Sequence, residues 1–250
     1  MAIYLIYAII MVFAHPQVIY PFGDDAFENP AFRPLTITDR DVVLAVHEGT
    51  DDVAVLYFMG NGGALAYFGS SLNAHVAAGR HVVAMAYPGG GGIPGKPSEL
   101  GLKRDALAAY DWLAADFSGD IVVHGYSMGT GLAQHVAAER DVAAIILDAP
   151  FVKMCELMTR AAWLPACYMP GVQRWDSAAL VPRIAAPVLV QHGTADDLIP
   201  MRDGLRLAAL MQDAGLDATF HAVEGAGHND LARQPRYQGQ INAFLGRVLE

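Results

Sequence analysis

The feature that most constrains this chain is a series of short apolar runs that do not alternate with polar residues. They are Val53–Phe58 (VAVLYF), His81–Ala86 (HVVAMA), Ile121–His124 (IVVH), Val142–Leu147 (VAAIIL) and Pro187–Gln191 (PVLVQ). A strand with one face in water alternates apolar and polar residues, so runs of this kind fit strands covered on both faces of a parallel sheet. Parallel strands need long crossovers, and Ala-rich helical stretches supply them at Leu65–Ala78, Ser98–Phe117, Met128–Arg140, Asp203–Ala214 and Leu231–Leu249. Ser98 behind Pro97 is the expected N-cap of the second helix. Ahead of the alternation, PLTITDRDVVLAVHEG predicts a hairpin turned at Asp39–Asp41, and Asp217–Val223 predicts a weaker last strand. The predicted class is therefore α/β, with a mostly parallel central sheet and helices on both faces.

Two segments stand outside this rhythm. Residues 151–186 are long and rich in Met, Trp and Pro, and are predicted to form a short cap over the sheet's C-terminal edge. Residues 1–23 hold no charged residue, and Met1–Ala14 is wholly apolar. A spanning helix needs about 20 apolar residues, which this run does not reach, and Pro16 is expected to kink or end a helix there. A membrane anchor is the preferred reading, so membrane association is favoured over a cytoplasmic location. A cleaved signal lacking its basic region, with Val12-Phe13-Ala14 as a cleavage site, and a segment packed on the body stay open. The remaining residues, 24–250, are predicted to form one catalytic domain.

A net charge of −10 with only 16 basic residues excludes a phosphate-backbone binder. Hydrophobic residues make up 54% of the chain and charged residues 17%, which excludes a disordered polymer. Cys155 and Cys167 form no metal-ligand pattern, and two packed thiols are preferred over a local disulfide. With no HExxH or His-x-His cluster, neither a metal nor an organic cofactor is expected.

The chemistry concentrates in Gly125-Tyr126-Ser127-Met128-Gly129, set between the strand IVVH and the helix MGTGLAQHVAAER. In that context G-x-S-x-G predicts a tight elbow that lifts the Ser127 hydroxyl above the sheet. A hydroxyl needs a base, and His228 lies on a glycine-flexed loop between the last strand and the last helix. The base needs an acid to fix its tautomer, and Asp196 after the strand PVLVQ is the candidate. Asp197 is expected to be solvated, and Asp148 is a rival acid. An oxyanion needs two fixed donors: the N–H of Met128 and the N–H of Asn61 in Phe58-Met59-Gly60-Asn61-Gly62-Gly63.

With these motifs placed, the chain resembles the α/β-hydrolase-domain serine hydrolases, especially the often membrane-anchored branch with lysophospholipid lipases and protein depalmitoylases. The resemblance covers nearly the whole chain. It rests on Ile19-Tyr20-Pro21, on Leu56–Gly63, on Ala86-Tyr87-Pro88-Gly89 through Gly95-Lys96-Pro97-Ser98-Glu99, and on Ser127, Asp196 and Gly227–Asp230. Met59 departs from it, standing where the family usually has histidine. The resemblance implies an α/β-hydrolase fold and an acyl-enzyme route on an ester or thioester. Met154, Met158 and Trp163 are the cap residues expected to touch an acyl or lipid-like substrate; packing of the cap on the body explains them equally well. A peptidase or aminoacyl hydrolase on the same three residues, and a binding protein that kept the fold without turnover, are the alternatives.

Overall fold

A computed structural model describes residues 2–249. Eight strands form one sheet: β1 (Arg33–Ile37), β2 (Val42–His47), β3 (Val53–Phe58), β4 (His81–Met85), β5 (Asp120–Tyr126), β6 (Ala144–Asp148), β7 (Val188–Gly193) and β8 (Ala218–Val223). Their order is β1-β2-β4-β3-β5-β6-β7-β8. Pairing is antiparallel from β1 through β2 to β4 and parallel in the rest. Strands β3 to β7 are almost wholly buried, as their unbroken apolar runs require. The outermost strand β8 keeps partly exposed residues, which explains its weaker sequence pattern.

Seven α-helices accompany the sheet among the described residues: α1 (Ala2–Ile19), α2 (Gly69–Val76), α3 (Glu99–Asp116), α4 (Gly129–Glu139), α5 (Met154–Ala162), α6 (Met201–Asp213) and α7 (Tyr237–Val248). Ser98 caps α3 by accepting from the Gly101 N–H at 3.1 Å. The expected helix over 65–78 divides into a 3-10 turn at Leu65–Phe68 and then α2. The expected last helix likewise divides, at Gln234-Pro235-Arg236, into a turn at Leu231–Arg233 and α7. The hairpin turns where expected, with Asp41 in the left-handed region at φ 55°.

Chain order and strand order part company at β3. The chain passes from β3 out to β4, then returns to the other side of β3 to form β5. The C-terminal ends of β3 and β5 thus flank a topological switch point, where open α/β sheets leave a crevice. Phe58 is in register with Gly125, so the loops after these two strands emerge side by side.

Between β6 and β7 the segment 151–186 carries α5 and two 3-10 turns, Ala166–Tyr168 and Val181–Arg183. Its base is pinned by a bridge between Lys153 and Asp176. Trp175 is 1% exposed there, and a Cβ on Gly131 of α4 would lie 2.8 Å from its ring. Cys155 of α5 and Cys167 form a disulfide with Cα atoms 4.9 Å apart. This corrects the reading of two packed thiols: α5 and the turn after it fold back on each other, a proximity that sequence spacing does not reveal.

The N-terminal segment is also corrected in one respect. Pro16 neither ends nor breaks α1, which runs on to Ile19. Proline lacks an N–H and so orphans the carbonyl four residues back. Here that carbonyl, of Val12, accepts from His15 Nδ1 at 2.6 Å. The other ring nitrogen of His15 accepts from the Gln173 N–H at 3.1 Å, which ties the helix to the cap.

Candidate active site

At the end of β5 the chain bends through Ser127, a non-glycine residue at φ 51°. Such a conformation costs on the order of 1 kcal/mol or more and persists only where the surroundings enforce it. The glycines on either side are sterically required. A Cβ on Gly125 would sit 2.3 Å from the Gly129 carbonyl oxygen, and a Cβ on Gly129 would sit 2.1 Å from the Phe58 carbonyl oxygen. Two hydrogen bonds hold the bend. The Ser127 N–H donates to the Asp148 carbonyl at 2.8 Å, and the Thr130 hydroxyl donates to the Ser127 carbonyl at 2.6 Å.

The hydroxyl so presented lies 3.0 Å from His228 Nε2. His228 comes from the loop between β8 and α7, 101 residues away in sequence. That loop is held by the Tyr126 hydroxyl, which donates to the His228 carbonyl at 2.5 Å, and by the Gly227 N–H on Asp230 Oδ1 at 2.6 Å. His228 Nδ1 lies 2.7 Å from Asp196 Oδ2. The other oxygen of Asp196 accepts from the N–H groups of Leu198 at 3.0 Å and Ile199 at 2.8 Å. Burial alone would raise the Asp196 pKa, but hydrogen bonds from His192 and His228 outweigh it and hold the group ionised far below the usual carboxylate range. Asp197 is exposed, as expected.

Asp148, the rival acid, is engaged elsewhere. Its carboxylate accepts from His124 Nε2 at 2.9 Å, the Tyr237 hydroxyl at 2.5 Å and Gln191 Nε2 at 3.1 Å. Behind it His124 Nδ1 meets His75 Nε2 at 2.8 Å, and Arg80 reaches His75 Nδ1 at 3.2 Å. With Arg80 a donor only, His75 accepts at Nδ1 and turns Nε2–H to His124, whose own Nε2–H donates to Asp148. Burial, then the neighbouring His124 and Arg80, push the His75 pKa well down. This chain of groups underlies the elbow, because Asp148 also holds the Ser127 amide.

Asn61 and Met128 adjoin the hydroxyl from the two neighbouring loops. Among the described residues neither backbone N–H has a hydrogen-bond acceptor, although Met128 is fully buried. Buried amides are nearly always paired, so the Met128 N–H left without an acceptor stands out. Met59 is buried, and the Tyr87 hydroxyl donates to its carbonyl at 2.7 Å, which fixes the start of that loop.

Ser127 and Asn61 are shared by two clefts. One, of about 490 Å³, is lined by Tyr67, Ser70, Ser71, Asn229 and Arg233 together with His228. The other, of about 420 Å³, runs under the cap between Met154, Leu157 and Met158 of α5, Val18 and Ile19 of α1, and the Leu198–Pro200 segment. Met154 and Met158 thus face the groove. Trp163 does not: it ends α5 in the left-handed region at φ 56° and is 86% exposed beside α1.

No sequence motif singles out His192, yet its Nε2 lies 3.2 Å from Asp196 Oδ2 and 2.8 Å from the Ile199 carbonyl. Gly204 of α6 admits the ring, since a Cβ there would stand 2.3 Å from His192 Nδ1. The available signal was the pair Gln191-His192 ending a buried strand: both side chains need partners, and His192 precedes Asp196 by four residues.

Fold and site together define an α/β hydrolase. Residues 102–250 match the model of the prolyl oligopeptidase family, more than half of the chain, and the protein belongs to that family. It is 35% identical over 223 residues to the Mycobacterium tuberculosis (strain ATCC 25618 / H37Rv) protein Rv2307c, covering 80% of this chain and 76% of that one. Lysophosphatidylserine lipase ABHD12 of Macaca fascicularis is 29% identical over 196 residues, covering 68% of this chain. This chain spans 49% of that lipase's length. The fold is shared with the Pyrococcus furiosus esterase Pf2001, with a TM-score of 0.75 at 18% identity, covering 91% of this chain and 96% of the esterase.

Proposed function

We propose that the protein is a serine hydrolase that cleaves a carboxylic ester or thioester of an acyl substrate through an acyl-enzyme. The observation that carries this reading is the continuous line from the Ser127 hydroxyl through His228 to Asp196, with contacts of 3.0 and 2.7 Å. Ser127 Oγ attacks the carbonyl carbon while His228 Nε2 takes its proton. Asp196 accepts from Nδ1–H, fixes the tautomer and stabilises the imidazolium. The N–H groups of Met128 and Asn61 receive the oxyanion. Collapse expels the leaving group with the proton from His228, and a water activated by the same ring then releases the acid. This route needs no metal or cofactor.

An acyl substrate is favoured by the groove under the cap, whose lining is mostly thioether and aliphatic, with Arg160, Asp197 and Arg202 as its charged members. A peptide or aminoacyl amide is the second reading, favoured by the prolyl oligopeptidase family match. Labelling with a fluorophosphonate tests the nucleophile. The wild type is expected to label and Ser127→Ala not to label; a folded wild type that resists the probe overturns the reading. p-Nitrophenyl esters of rising chain length, set beside peptide p-nitroanilides, separate the two substrate classes.

A further inference from the structure

Helix α1 carries no charged residue, and its two long sides do different things. Toward the body, Met11 and Val12 line a small apolar cavity together with Met158, Leu164 and Met169 of the cap. The contact runs the length of the helix. Near one end the Tyr4 and Tyr7 hydroxyls donate to the carbonyls of Trp163 and Ala162, at 3.1 and 3.0 Å. Near the other, His15 is tied to Gln173, and Ile19 enters the groove beside Ser127. Away from the body, Ile3, Ile6, Ile10 and Phe13 form one stripe at helical spacing, each at least 57% exposed. Trp163, beside Tyr4, is 86% exposed.

We propose that α1 lies in the plane of a lipid leaflet, with this stripe among the acyl chains and Trp163 at the headgroup level, so that the groove takes its acyl chain from the leaflet itself. The occupant is lipid because the stripe offers nothing polar to a protein partner, and because Val18, itself 58% exposed on the same helix, also lines the groove. The helix does not span. A spanning helix is surrounded by hydrocarbon or by other spanning segments, whereas α1 is flanked along one side by a cap carrying Glu156, Arg160 and Arg174. With Arg160 paired to Asp203 at 2.6 Å, that cap belongs in water. Attachment is hydrophobic and not electrostatic, since the first 32 residues hold no Lys or Arg and the chain is acidic.

The use of the groove rests on the acyl-hydrolase reading; the docking of the helix does not. The test is flotation of the full chain with vesicles of phosphatidylcholine alone. Wild type is expected to float, to remain bound in about 0.5 M NaCl, to be released by alkaline carbonate as a non-spanning protein, and to shift its tryptophan emission to the blue. Ile10→Glu/Phe13→Glu is expected to stay with the soluble fraction, to keep its turnover of p-nitrophenyl butyrate, and to lose on the order of 10-fold in turnover of a long-chain ester presented in vesicles. The proposal is overturned if wild type fails to float, needs anionic lipid, resists carbonate, or forms a dimer that buries the stripe. Wild type that floats but hydrolyses neither ester sinks the hydrolase reading alone.

Discussion

Replacing Asp196 by Asn tests the electrostatic logic of the site with almost no change in shape. The carboxylate has divided duties. One oxygen takes the amides of Leu198 and Ile199, and the other faces His228 Nδ1 at 2.7 Å and His192 Nε2 at 3.2 Å. Asparagine can keep its oxygen on the two amides, which turns its NH2 toward the two rings. A donor then faces His228 Nδ1, and the ring must present that nitrogen as an acceptor. Its proton moves to Nε2, the atom 3.0 Å from the Ser127 hydroxyl, where a base is needed. The wrong tautomer costs roughly 10⁴ in kcat, or about 5 kcal/mol of transition-state stabilisation. The assay is steady-state hydrolysis of p-nitrophenyl butyrate, with circular dichroism and thermal melting to establish that the variant folds. A folded Asp196→Asn that loses less than about 10-fold refutes the assignment, because a tautomer error cannot be that mild. If Asp148→Asn instead gave the large kinetic loss while folding normally, the acid would be the other carboxylate.

Three further predictions concern stability. His75 is buried and its folded-state pKa lies well below the ordinary 6.5, so below that pH the unfolded chain binds a proton that the folded chain refuses. His75 destabilises the folded chain increasingly as pH falls below about 6.5, by at most about 2 kcal/mol at pH 5; urea midpoints across this range should show the slope, and His75→Gln should flatten it. Asp196 acts in a separate window: its depressed pKa withdraws stability only below about pH 4. Opening the Cys155–Cys167 disulfide, which closes a separation of 12 residues, should lower stability by up to about 3 kcal/mol. Because Met154, Leu157 and Met158 ride on the same helix, the reduced protein should also lose its preference for long over short p-nitrophenyl esters. Unchanged melting and unchanged chain-length preference in Cys155→Ser would remove the disulfide from the cap's support.

Much of the fold was legible because it depends on patterns that survive in one dimension. Burial on both faces writes itself as VAVLYF and IVVH, and the elbow as two glycines spaced by the bend. The pairing of Ser127 with His228 could be expected from order along the chain, since parallel strands β5 through β8 deliver the loops that follow them to one edge of the sheet. What stayed hidden depends on contacts between distant segments. The disulfide needs the fold-back of α5. The carbonyl freed by Pro16 needs a neighbouring histidine turned inward, and no helix rule anticipates that rescue. Asp148 reads as a candidate acid from its position at a strand end. Only the arrival of His124, Tyr237 and Gln191 shows its hydrogen-bonding capacity to be occupied. Trp163 was expected in the groove by its chemistry, but a left-handed residue at the end of α5 turns it outward.

On the acyl-enzyme reading, the two clefts that share Ser127 would give each half of a substrate its own exit. Once the first bond broke, the expelled fragment would depart past Tyr67 and Arg233 while the chain left on Ser127 kept its berth beneath α5. The vacated side is the one that His228 also lines, so the incoming nucleophile would arrive through the door the first product had just used. A small alcohol supplied at high concentration would take that same door. Its transfer product, measured against free acid, would report how open the passage is while the chain is still attached.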